Sequence, residues 1–142
     1  MPQLSLLAGY ENAQPLPTDF NEDGKSLRNI PAPESEAYQK FPSPIKQDKN
    51  GFDFHIYYMQ TVEAESQYAQ QLHERIRREF PELRIYRLWD RPIGKVQHAW
   101  SITRLKRTTG PHPTAMFEVN TFTPHQTGAL FSWLAVRRGP LS

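Results

Sequence analysis

The side chains here best suited to bind a metal or move a proton near neutral pH are five histidines, at positions 55, 73, 98, 112 and 125. Imidazoles gathered with carboxylates serve metal ligation or general acid–base work. No cysteine accompanies them. That excludes disulfides, thiolate metal sites and a cysteine nucleophile, and it fits a reducing, cytoplasmic compartment. His55 stands between Asp53 and Tyr57 in an alternating run, and all three point away from the apolar positions of that run. His112 lies between two prolines just before another alternating run, in which Glu118 points away from the apolar positions. The bland alternative for such histidines is a solvated position on a strand. His73 lies on the mostly polar side of a helical pattern and reads as solvated, and His125 reads as a first-turn surface residue.

The elements that position these groups can be read from periodicity. Phe52-Asp-Phe-His-Ile-Tyr-Tyr58 alternates and is aromatic, which predicts a strand with Phe52, Phe54, Ile56 and Tyr58 facing a core. From Thr61 to Phe80, Tyr68, Ala69, Leu72, Ile76 and Phe80 recur at helical spacing, and Pro81 ends the helix. Leu83 to Trp89 predicts a second strand and Thr114 to Thr121 a third, with Ala115, Phe117 and Val119 facing inward. Thr123, Pro124 and Gln126 form a helix start with the pattern of a capping box. Leu130, Trp133, Leu134 and Arg137 share one face of the helix that follows, and Gly139-Pro140 stops it.

Strand, helix, strand, strand, helix is the order of an α+β, ferredoxin-like βαββα(β) unit. Two helices would cover one face of an antiparallel sheet, and the last strand would be missing. In such a unit the first strand pairs with the third and the fourth, so the pattern leaves its outer edge open.

Charge and proline divide the chain of 142 residues further. Residues 1–50 hold seven prolines and a net charge of −2, with no persistent apolar period. They read as an extended or disordered arm preceding a domain over 51–142. Lys95 to Thr109 carries four basic residues and no acid. The basic isoelectric point, near 9.0, therefore comes from this one segment. No apolar run approaches the roughly 20 residues that cross a membrane. Met1 to Tyr10 lacks a basic start and a long apolar stretch, so no secretory signal is expected.

Several ordered blocks resemble one family. Phe52-Asp-Phe-His-Ile-Tyr-Tyr58, Phe80-Pro-Glu-Leu-Arg-Ile-Tyr86, Trp89-Asp-Arg-Pro-Ile-Gly94, Pro111-His-Pro-Thr-Ala-Met-Phe-Glu-Val119 and Arg138-Gly-Pro-Leu-Ser142 are similar to the DOPA 4,5-dioxygenase family. Gly9-Tyr-Glu-Asn12 and Asn21-Glu-Asp-Gly-Lys25 in the arm resemble its fungal members. The resemblance implies a single-domain, non-haem iron(II) extradiol dioxygenase. Such an enzyme opens the catechol ring of DOPA or a related catechol with O₂, and the seco-DOPA product cyclises to betalamic acid or muscaflavin pigments. Two departures stand out. Members run Pro-Ile-Gly directly into Pro-His-Pro, whereas residues 95–110 intervene here as an inserted loop or a retained intron. Members also continue past Arg138-Gly-Pro-Leu-Ser142 into a strand bearing His-Pro, and without that strand the implied site lacks a natural third ligand or acid–base group.

Iron(II) oxygenases use two imidazoles and a carboxylate on one face, leaving positions open for O₂ and a bidentate catecholate. The resemblance carries His55 and His112 over as ligands and catalytic residues, with Glu118 as the candidate carboxylate. A straight strand would put Glu118 about 20 Å from His112, at roughly 3.3 Å per residue. Both could meet one ion only if the turn at Pro111–Pro113 folds back. Otherwise Glu118 would hold a ligand histidine or the substrate amine. Tyr57, Arg84 and Tyr86 could line a catechol pocket. His125 is a spare candidate, and His98 falls within the insertion.

Two further readings compete. A ferredoxin-like sheet with aromatics and a basic loop can bind RNA. Here no aromatic RNA-binding strand motif is present and the basic charge is confined to one segment, so a nucleic-acid partner is not expected. The other reading is a non-catalytic homo-oligomer that uses the open sheet face as its interface.

Overall fold

The computed structural model describes residues 6–90 and 114–142, and the chain divides into two compact units at Ser35 and Glu36. In the first unit no described residue is buried. It is organised by a local turn. Asp23 Oδ1 accepts N–H bonds from Lys25 and Ser26, and Phe20 bridges Leu27. Arg28 pairs with Asp19 beside that turn.

The second unit carries strand β1 (Phe52–Tyr58), helix α1 (Glu63–Glu79), strand β2 (Arg84–Ile85), strand β3 (Ala115–Thr121) and helix α2 (Pro124–Arg137). Short 3₁₀ turns at Glu36–Tyr38 and Gln47–Lys49 precede them. The sheet is antiparallel in the order β1-β3-β2. This is an α+β fold. Among the described residues, β1 is an edge strand, as the element order predicts.

Both helices pack on one face. Ala69, Leu72 and Ile76 of α1 and Leu130 and Leu134 of α2 meet Ile56, Tyr58, Ala115, Phe117 and Val119. Their spacing on α1 makes the apolar stripe that an amphipathic helix turns to a core. Leu83 and Leu141 close the cluster from the loops. At the start of α2, Thr123 Oγ1 accepts the Gln126 N–H at 3.1 Å, while Gln126 Oε1 accepts the Phe122 N–H at 2.9 Å. Gly139 has φ +57°, and a Cβ there would meet Tyr68 at 2.5 Å. Tyr68 occupies that space because its hydroxyl donates to the Arg137 carbonyl at 2.8 Å, tying α1 to the end of α2.

Four expectations need correction. The second strand is only Arg84–Ile85, followed by an isolated bridge from Trp89 to Met116. From Ile85 to Trp89 the chain advances one residue more than β3 does from Val119 to Met116. That extra residue breaks the ladder as a bulge does. Phe52 is 46 % exposed and lies against Phe41, 5.3 Å between ring centres, rather than in the core. His73 is buried, not solvated. It lies four residues after Ala69 on the same stripe, donates from Nε2 to the Tyr86 carbonyl at 2.8 Å, and sets its ring edge-on to Phe117. The far face of the sheet is also not open along β3, because Met116 and Asn120 are fully buried there.

The edge of β1 is met by Ser142. The Tyr57 N–H donates to the Ser142 carbonyl at 2.8 Å, and the Ser142 N–H donates back to the Tyr57 carbonyl at 3.2 Å. The reciprocal pair is the hydrogen-bonded form of an antiparallel ladder. Buried Leu141 anchors it.

Candidate metal centre

The pairing of β1 with β3 builds the site. His55 lies directly opposite Glu118, and Asp53 directly opposite Asn120. Directly opposed residues share a face, and residues two apart on one strand share it as well. Asp53, His55, Glu118 and Asn120 therefore form a square on the face away from the helices. The ligand atoms of Asp53, His55 and Glu118 lie within 4.8 Å of one another. His55 Nε2 and Glu118 Oε2 are 3.4 Å apart, with side chains 33 % and 23 % exposed. Ligand atoms about 2.1 Å from one ion would stand that far apart at an angle of roughly 110°.

A hydrogen-bond network holds the carboxylates. Asn120 Nδ2 donates to Asp53 Oδ1 and to Glu118 Oε1, each at 2.7 Å. Asn50 Nδ2 adds a bond to Asp53 Oδ1 at 3.1 Å, and Arg84 Nη1 donates to Asn50 Oδ1 at 3.2 Å. Among the described residues, no lysine or arginine pairs with Asp53 or Glu118. Two carboxylates and one imidazole, with no lysine or arginine on them among the described residues, make a donor set suited to a divalent first-row ion. The residues present thus fit a metal. They differ from two imidazoles and one carboxylate by one nitrogen donor.

The structure sorts the residues expected from sequence. His55 and Glu118 are brought together. His112 lies outside the described residues, as do His98 and the segment 95–110. The ring of Tyr57 stands edge-on to His55, with centroids 6.3 Å apart. Tyr86 donates its N–H to the Glu118 carbonyl at 3.0 Å and stacks on Trp89 at 6.0 Å. Arg84 shares a row with Asn120 and lies over the Phe122 ring at 5.0 Å. His125 is exposed in the first turn of α2, away from the core. A groove of about 400 Å³ runs along the outer edge of β1. Phe54, His55, Ile56, Phe131, Leu134 and Arg138 are among the residues that line it.

Asp53 and Asn120 were not singled out from sequence as site residues. The signal for each was the period of two. Asp53 precedes His55 by two residues, and Asn120 follows Glu118 by two.

Comparisons with known proteins place the chain in a family. The chain is 50% identical over 143 residues to a protein of Botryotinia fuckeliana described as an "Uncharacterized 21.2 kDa protein", covering 97% of this chain and 68% of that one. No solved structure matches it significantly. The profile of the Dopa 4,5-dioxygenase family matches residues 52–142, the stretch that contains β1, β3 and both helices. This chain therefore belongs to the Dopa 4,5-dioxygenase family.

Proposed function

We propose that this chain is a non-haem iron(II) dioxygenase that opens the ring of DOPA or a related small catechol at an extradiol bond with O₂. The observation that carries the reading is the convergence of Asp53, His55 and Glu118 across β1 and β3 in a member of this family. Asp53, His55 and Glu118 would hold the ion, and His112 is the proposed second imidazole. The bound ion would bring O₂ and both catechol oxygens to one centre and pass electrons between them.

The chain's own residues supply binding and proton handling. Asn120 holds both carboxylates by donating to each, and Asn50 adds a second donor to Asp53. The Tyr57 ring, set edge-on beside His55, offers an aromatic wall for the catechol ring. Tyr86 and Arg84 flank the far side, and the guanidinium of Arg84 would meet the substrate carboxylate. A histidine not bound to the ion would take the catechol proton. Among the described residues no helix is long and apolar enough to cross a membrane. We place the enzyme in the cytoplasm, with its partners the catechol and O₂.

The test is anaerobic Fe(II) titration of the full chain, then L-DOPA and air. One tightly bound Fe(II) and a yellow product support the reading. An Fe(II)-loaded protein that leaves L-DOPA and simpler catechols intact removes it.

A further inference from the structure

Asn120 has no exposed surface, yet it is polar and lies on the central strand of the sheet. Its one amide nitrogen donates to both Asp53 and Glu118 at 2.7 Å. The orientation of the amide follows from chemistry, because only the nitrogen end can donate to two carboxylates. The opposite end is costly, since Asn120 Oδ1 is buried with no hydrogen-bond partner among the described residues. Buried polar atoms are normally satisfied, so an orphan asks for a reason. A leucine of similar size would fill the same space without that penalty.

We propose that Asn120 positions the metal-binding carboxylates: its amide engages one oxygen of Asp53 and one of Glu118, so that each carboxylate meets a divalent cation through its other oxygen. The proposal rests on the metal-centre reading above. Glu118 fits it, since Oε1 faces Asn120 while Oε2 faces His55 Nε2. Asp53 fits it too, since Oδ1 takes both Asn120 and Asn50 and leaves Oδ2 for the ion. Asparagine suits the task. A serine or threonine hydroxyl has one hydrogen and could serve only one carboxylate. A lysine would bring a charge that competes with the cation, and an aspartate would add a third repelling charge.

The test is Co(II) titration of the full-length wild type, Asn120→Leu and Asn120→Ser, read by the visible absorption of bound Co(II). The wild type should bind one Co(II). Asn120→Leu should bind about 10- to 100-fold more weakly, the usual effect of removing a group that holds a ligand. Its absorption band should also change in position and intensity, because the freed oxygens can chelate the ion. Asn120→Ser keeps one donor and should fall between. Far-UV circular dichroism establishes that each variant is folded. Folded variants with wild-type affinity and spectrum overturn the proposal and leave the metal centre standing. A wild type that binds no Co(II) overturns the metal centre itself, and this proposal with it. If Asn120→Leu does not fold, Asn120→Ser decides by the same criteria.

Discussion

Replacing Glu118 with glutamine should make the metal-free protein more stable and the metal-treated protein less so. Asp53 and Glu118 place ligand oxygens within 4.8 Å of each other. Two unit charges at that distance repel by about 3.5 kcal/mol at an effective dielectric of 20, and by about 0.9 kcal/mol at that of water. Asp53 is exposed, so screening favours the lower figure. Glutamine removes the repulsion and keeps an Oε1 that can accept from Asn120. We expect Glu118→Gln to gain about 1 kcal/mol without metal, a rise of about 4 °C in midpoint for a unit of this size. The wild type should gain far more from metal. An ion that binds only the folded state, present at 100 times its Kd, adds about 2.7 kcal/mol. That is a shift of about 10 °C, and Glu118→Gln should lose most of it. Thermal melts at pH 8, with and without Co(II), read both effects. A metal-free variant that melts lower than wild type, together with an undiminished Co(II) shift, would refute the reasoning. Asp53 and Glu118 would then not share an ion.

Two more outcomes follow from groups outside the centre. His73→Leu removes the donor to the Tyr86 carbonyl and should cost about 1–3 kcal/mol in urea unfolding, while His73→Gln, which keeps an N–H, should lose less. Burial, and then the charge of Asp90, push the Tyr58 hydroxyl above its usual pKa of 10.0. The folded state therefore favours protonated Tyr58. That stability is fully present below pH 10 and is lost as pH rises through the raised value. Tyr58→Phe should flatten the loss of stability above pH 10 in alkaline denaturation, and an unchanged alkaline midpoint would count against this origin.

Much of this protein is legible in local sequence. The alternation of β1 and β3, the helical stripe of α1 and the cap at Thr123 each depend on neighbours a few residues apart, so the α+β class and the element order follow from sequence alone. The family follows as well, because the matching blocks are contiguous runs. His55 and Glu118 were marked as candidates from their side of a strand. Tertiary structure decided what local patterns cannot carry. His55 faces Glu118, and Asp53 faces Asn120, only because β1 and β3 pair in one register across a long stretch of chain. A slip of one residue would turn Glu118 and Asn120 to the helix side and dissolve the centre. The same holds for His73, which the helical pattern puts on the mostly polar side but which packs on Phe117, and for β2, whose pairing a single extra residue interrupts. Residue type and period name the groups that could do chemistry. Register and packing determine which of them meet.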